Sequence, residues 1–210
     1  MNKTALTIKT YDLIAKYYEK ENFRFGGQEE LDKFIPLLKP GAKILDAGCG
    51  FGRELAYFIN QGFDTYGIDG SGELLKLAKK RAPKAKLKLV DLRNKLPYSD
   101  NFFDAVWARN SLHHLEPKDL LKALNEIRRI LKPKGILFIE WKEGEKAMIT
   151  KEEIAQGHER YYNLMPNSKL VGIIKNAGFY ITNNYTYNWS QRYGEKRQFS
   201  DFIVIFAVKP

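Results

Sequence analysis

A single cysteine, Cys49, stands in the 210 residues, which excludes an internal disulfide framework and any zinc site built from several cysteines. Long apolar runs are missing too. Ile136–Ile139 and Phe202–Val208 are among the longest, far short of the roughly 20 residues that a bilayer-spanning helix needs. The opening stretch Met1–Leu6 holds no apolar segment of signal-peptide length, so a cytoplasmic protein without a membrane span is expected. No repeat period and no Pro/Gly/Ser-rich linker interrupts the chain, and one domain over residues 1–210 is expected. Acids are scarce beside bases, with Asp+Glu 25 against Lys+Arg 35, for a net charge of +10.

Enough apolar material is present for a core, since hydrophobic residues make up 44% and charged residues 29%; a disordered polymer is excluded. The positive balance invites a nucleic-acid reading, because phosphate backbones reward basic faces. Its distribution argues otherwise. Lys76, Lys79, Lys80, Arg81, Lys84, Lys86 and Lys88 are the densest cluster, and no stacking aromatics interleave them. A solvated lysine-rich face is the plainer account.

The first forty residues read as helical. Tyr11-Asp12-Leu13-Ile14-Ala15-Lys16-Tyr17-Tyr18 spaces apolar and aromatic groups by three and four, and a second helix from Gln28 to Leu38 ends before the breaker Lys39-Pro40-Gly41. The pattern then changes to strands expected at Lys43–Ala47, Phe63–Ile68, Lys86–Val90, Phe103–Ala108 and Gly135–Trp141. Between them run helices around Leu55–Ile59, from Gly72 to Arg81 with Ser71 as N-cap, and from Pro117 onward. Residues 142–166 read as a polar stretch without assigned elements. A helix from Ser168 to Asn176 and an antiparallel pair at Phe179–Tyr187 and Phe199–Val208 close the chain. This alternation gives an α/β fold: a doubly wound, Rossmann-like, mostly parallel seven-stranded sheet with an antiparallel C-terminal edge strand.

In such sheets ligands bind beyond the carboxyl ends of the strands. The first strand ends in Asp46-Ala47-Gly48-Cys49-Gly50-Phe51-Gly52, where glycines at alternate positions let the backbone turn tightly and approach a ligand. Alone, that pattern describes a tight turn as well as a binding loop. Asp69 closes the second strand, where a carboxylate accepts both hydroxyls of a ribose. Asp91 closes the third, placed to meet an adenine amino group while the Leu92 N–H meets a ring nitrogen. Each acid alone is an ordinary strand-end residue; three successive strands ending in Asp at one edge point to a nucleoside site.

The stretch from Lys43 to Glu140 resembles a class I S-adenosylmethionine-dependent methyltransferase, of the small-molecule type similar to ubiquinone-biosynthesis methylases. The matching segments are Ile44–Gly52, Gly67-Ile68-Asp69-Gly70-Ser71, Val90-Asp91-Leu92, Leu96-Pro97-Tyr98 with Phe102–Val106, Leu112-His113-His114-Leu115 and Ile127–Gly135. The helix from Tyr11 through Tyr18 resembles the one that lies over the cofactor in that family. The resemblance implies that Gly48, Cys49 and Gly50 pass beneath the methionine part of the cofactor and that Asp46 holds its amino group. It places Asp69 and Gly70 at the ribose, Asp91 and Leu92 at the adenine, and Tyr18 above. Arg109 and Asn110 would line the channel where the methyl group meets its acceptor. Residues 1–40 are then a helical lid, and 142–166 an acceptor-side cover holding His158, Arg160, Tyr161, Tyr162 and Met165. A nicotinamide dehydrogenase needs G-x-G-x-x-G, a spacing that Gly48, Gly50 and Gly52 do not give.

Methyl transfer from a sulfonium asks mainly for in-line positioning and exclusion of water, and for a base only when the acceptor must lose a proton. His113 and His114 are the candidates for a base, although packing at the start of the next helix explains them better; no metal is expected. Ala108-Arg109-Asn110-Ser111 stands where amino-group DNA methylases carry an Asn-Pro-Pro-Tyr-type motif. A small-molecule acceptor is the main expectation. An RNA methyltransferase acting on tRNA or rRNA, and a non-catalytic S-adenosylmethionine-binding regulator, are the alternatives.

Overall fold

The computed structural model describes residues 2–194 and 201–210. Its strands are β1 (Lys43–Ala47), β2 (Asp64–Asp69), β3 (Lys86–Leu89), β4 (Phe103–Arg109), β5 (Leu131–Lys142), β6 (Met148–Lys151), β7 (Glu159–Tyr162), β8 (Tyr180–Asn188) and β9 (Asp201–Val208). Its helices are α1 (Lys3–Asn22), α2 (Gln28–Phe34), α3 (Arg53–Asn60), α4 (Gly72–Arg81), α5 (Pro117–Ile130), α6 (Asn167–Asn176) and α7 (Trp189–Tyr193). Seven strands form one sheet in the order β3-β2-β1-β4-β5-β9-β8, and β6 pairs with β7 in a separate ribbon. The first five sheet strands are parallel, and β9 runs antiparallel to both β5 and β8. The antiparallel strand therefore lies one place in from the rim, with β8 outside it. No helix among the described residues is long and apolar enough to cross a membrane.

The strands carry side chains to both faces by their two-residue period, and both faces are covered, so the central strands are apolar throughout. Ile44, Ala105, Trp107, Phe138, Val204 and Phe206 meet Phe34 of α2 and Phe58 of α3. Leu45, Val106, Leu137, Ile139, Ile203 and Ile205 face Leu120, Leu124 and Ile127 of α5 and Leu170 and Ile174 of α6. Ser71 caps α4 as its sequence position suggests, accepting from the Leu74 N–H at 3.1 Å.

Several segments differ from the sequence reading. The fifth strand reaches back to Leu131 directly from α5, and Lys132–Gly135 loop out of its pairing with β4, whose partners jump from Leu131 to Ile136. The polar stretch 142–166 contains the β6–β7 ribbon, and α7 occupies part of the connection into β9. The expected strand start at Phe199 lies outside the described residues.

α1 docks in an unusual way. Its buried face carries Thr4, Thr7, Thr10, Ile14 and Ala15 rather than an apolar stripe. Thr4 Oγ1 donates to the His114 carbonyl at 2.8 Å, Thr10 Oγ1 donates to the Glu159 carbonyl at 2.6 Å, and Thr7 Oγ1 accepts from the Tyr161 N–H at 2.9 Å. On another side Asp12 accepts from the Ser71 hydroxyl and the Glu73 N–H, fastening α1 to the start of α4.

Candidate functional site

The chain leaves β1 through Gly48, whose φ of 86° lies in the left-handed region. A Cβ there would stand 2.2 Å from the Cβ of Ser111, so only glycine lets the loop after β1 pass the loop after β4. The same backbone turns inward over β2: the N–H groups of Gly48 and Cys49 both donate to the Ile68 carbonyl. Asp69 completes the turn, with one carboxylate oxygen accepting from the Gly50 N–H at 2.8 Å and the other from the Ser71 N–H at 2.8 Å. Burial raises the Asp69 pKa against these hydrogen bonds. A cleft of about 1030 Å³ of open space lies against these strand ends, with α1 over it.

Charge at the β1 end of the cleft is concentrated. Burial, with Glu54 and Asp69 nearby, holds the Asp46 carboxyl well above the usual range. Its Oδ2 has no hydrogen-bond partner among the described residues. Burial would raise Glu54 as well, but Arg53 and Arg109 pull it below its ordinary value. Arg109, buried at the end of β4, donates to Glu54 at 3.1 Å, to Glu140 at 3.2 Å and to the Phe25 carbonyl at 3.1 Å, and its Nη2 has no partner among the described residues. Asn110 takes a positive φ of 53° and donates to the other Glu140 oxygen. Asp91 is held below the usual range by its neighbour Arg93, whose Nε donates to both of its oxygens at 3.0 Å.

A second, smaller cavity of about 450 Å³ of open space shares Tyr11, Tyr18, Asn22, Asn110 and Trp189 with the first. A polar chain crosses its wall. Arg160 of β7 donates to the Tyr11 hydroxyl at 3.0 Å and to Glu152 at 2.7 Å; the Tyr11 hydroxyl lies 3.0 Å from Nε2 of His114. His114 Nδ1 faces the Tyr161 carbonyl at 2.7 Å, an acceptor only, so Nδ1 carries the proton and Nε2 accepts from Tyr11. Burial holds His114 neutral, with its pKa down at about 3, and lowers His113 well below its ordinary value, helped by the neighbouring cations. Burial and the nearby Tyr18 raise the Tyr11 phenol well above its usual range.

All eleven cofactor-side residues singled out in the sequence line the larger cavity: Tyr18, Asp46, Gly48, Cys49, Gly50, Asp69, Gly70, Asp91, Leu92, Arg109 and Asn110. The histidines divide, His114 lining the larger cavity and His113 the smaller one. Of the stretch 142–166, Lys142, Glu152, Ile154, Arg160 and Tyr162 line the smaller cavity. Sequence reasoning passed over Tyr11 as a polar group, Thr4 and Thr7, and the pair Arg53 and Glu54. Trp189, read from the sequence as sheet-face packing or a stacking surface for an aromatic acceptor, lines both cavities. The signal for Tyr11 and Tyr18 was their spacing of seven, which puts them on one helix face.

Residues 45–139 match the family model described as a methyltransferase domain. Among curated proteins, the chain is 34% identical over 115 residues to an uncharacterised methyltransferase of Synechocystis, covering 53% of each chain. It is 33% identical over 132 residues to the tRNA (carboxymethyluridine(34)-5-O)-methyltransferase of Arabidopsis thaliana, covering 62% of this chain and 31% of that one. The chain thus spans about half or less of the curated relatives it matches. In structure it is similar to the 1,6-didemethyltoxoflavin-N1-methyltransferase of Burkholderia thailandensis, solved with its substrate and S-adenosylhomocysteine, with a TM-score of 0.71 at 21% identity over 96% of this chain and 87% of that one.

Proposed function

We propose that this chain, whose residues 45–139 match the methyltransferase-domain model, is a class I S-adenosylmethionine-dependent methyltransferase that transfers a methyl group to a small-molecule acceptor and releases S-adenosylhomocysteine. The observation that carries this reading is the joined pair of cavities, one against the strand ends and one behind it under α1 and the β6–β7 ribbon. Concave sites of this size suit small ligands.

The larger cavity fits the cofactor by its donor set. Asp46 Oδ2 and Arg109 Nη2, both without a partner among the described residues, suit an ammonium and a carboxylate respectively; the two ends of an amino acid satisfy both. Asp69 would hold the ribose hydroxyls beside Gly70, Asp91 and Leu92 the adenine, and Gly48, Cys49 and Gly50 the floor, with Tyr18 closing from α1. When bound, the cofactor supplies a methyl carbon on a cationic sulfur, and the S–C bonding pair returns to sulfur as the acceptor's lone pair forms the new bond. The chain's part is alignment and dryness: Tyr11, Tyr18 and Asn110, shared by both cavities, form the passage between them. Within residues 1–40, α1 acts as the lid while α2 packs into the sheet core through Leu31 and Phe34, and 142–166 act as the acceptor-side cover of a single domain. His114 has both ring nitrogens engaged, and we assign neither histidine the role of base.

The test is transfer of methyl label from the cofactor into cell extract separated into metabolites, RNA and protein. Label in the metabolite fraction is expected. Label entering tRNA or rRNA at a defined nucleotide, with metabolites unlabelled, overturns the small-molecule reading; cofactor binding without label anywhere overturns the enzyme.

A further inference from the structure

We infer that the smaller cavity receives an acceptor bearing an anionic group, a carboxylate or a phosphomonoester, gripped by Arg160 and Lys142 while its nucleophilic atom faces the cofactor cleft past Tyr11 and Asn110. This rests on the reading of the joined cavities as a methyl-transfer site.

The wall chemistry points that way. Among the described residues lining the cavity, Arg160 and Lys142 are cationic and Glu152 is the one acid. Arg160 is buried to 2% exposure; its Nη1 donates to Tyr11 and its Nη2 to Glu152, and its Nε has no partner among the described residues. A buried guanidinium with a donor to spare is strongly biased towards a second anion, because burying charge without full pairing is costly. The internal carboxylate shows that the donor set suits the ligand: Glu152 takes hydrogen bonds from Arg160 and the Tyr162 hydroxyl and lies 3.6 Å from the Lys142 ammonium.

Titratable neighbours report the same positive field. Burial alone would raise Glu152, yet Lys142 and Arg160 bring its pKa down to about 2. Beyond burial and His114, the same two cations lower His113. An acceptor whose only charge is an ammonium would meet repulsion here. Tyr18, Trp189 and Phe202 add aromatic wall, which offers contact area for an unsaturated or ring-bearing body.

In this scheme the anionic group is the handle and is not itself methylated, so the product keeps its negative charge. The probes are benzoate and inorganic phosphate, with neutral benzamide as control, titrated into the S-adenosylhomocysteine-loaded protein at constant ionic strength and followed by thermal shift. Benzoate or phosphate should stabilise saturably and benzamide should not; whichever anion binds tells the carboxylate from the phosphomonoester. Lys142→Gln should weaken that binding about tenfold or more, the scale of one hydrogen bond to a charged group. Lys88→Gln, at the far edge strand, should leave it unchanged. Arg160→Gln should abolish it if the variant folds, and Lys142→Gln decides the matter if it does not. Absence of saturable anion binding, or binding equal in Lys142→Gln, overturns the inference. Methyl label from the cofactor should elute with anionic metabolites on ion exchange. Label confined to neutral or cationic metabolites overturns the anionic handle and leaves small-molecule methyl transfer standing.

Discussion

Trp107 and Arg160 are both buried, and almost nothing else about their surroundings is alike. Trp107 stacks on Phe138 with ring centroids 3.7 Å apart and meets Phe34 and Phe58 edge-on. Arg160 sits among hydroxyls and a carboxylate, under a helix docked through threonines. The first region is held by area removed from water, which is non-directional and worth about 1.5–3 kcal/mol for a large side chain. The second is held by hydrogen bonds worth about 1 kcal/mol each, net of the water they displace. Such a region is expected to open locally at lower free energy than the sheet. A lid over a cofactor cleft needs that property.

The largest effect separates the two regions outright. Trp107→Ala should cost about 3–5 kcal/mol, the range for truncating a buried aromatic, and lower the melting temperature of the whole fold. If only residues 3–22 lose hydrogen-exchange protection, the core is not where stability lies. Next comes the cleft between the regions. Asp69→Ala should weaken S-adenosylhomocysteine by about 1.5–3 kcal/mol in calorimetry, the scale for hydrogen bonds to a charged group. Unchanged affinity in a folded variant sinks the ribose assignment.

Acid should attack the cap first. His114 titrates at about 3 when folded and His113 well below its ordinary value, so between those values and about 6.5 the unfolded chain binds more protons. Stability should therefore fall as pH drops below about 6.5, by up to about 1.4 kcal/mol per pH unit for each histidine. Exchange in α1 should accelerate before exchange in β4. Equal acceleration in both would mean that the cap does not open separately. The smallest effect is Thr10→Val, which should cost about 1 kcal/mol by depriving the Glu159 carbonyl of its partner. It should speed exchange in α1 and leave the global midpoint nearly unchanged.

The same contrast explains what was legible in the sequence. The sheet announces itself because its central strands must be apolar, and Ser71, Pro117 and the glycines after β1 mark turns by local chemistry that needs no knowledge of the rest. Those signals also placed the cofactor-side residues around one cleft. The cap gives no such signal. Glu159-Arg160-Tyr161-Tyr162 becomes a buried strand only because Met148–Lys151 pairs with it and Thr7 receives the Tyr161 N–H. A threonine face on α1 has no apolar period, so its docking side is invisible until the carbonyls it meets are in place. The looped-out Lys132–Gly135 hides the true start of β5 for a similar reason: its local sequence reads as a turn, and pairing with Phe103 overrides that.

The insertion of β9 between β5 and β8 bears on the order in which the molecule can be made. β5 is synthesised some sixty residues before the strand that satisfies its outer edge, and Ile203, Val204 and Ile205 are wholly buried there. While the chain emerges from the ribosome, the half built on β1 to β5 can pair among itself, but β5 presents an open ladder. Such an edge is a template for pairing with other chains. Closure of the sheet is therefore a late, long-range event, and the nascent protein's exposure to aggregation lasts until Asp201–Val208 has left the exit tunnel.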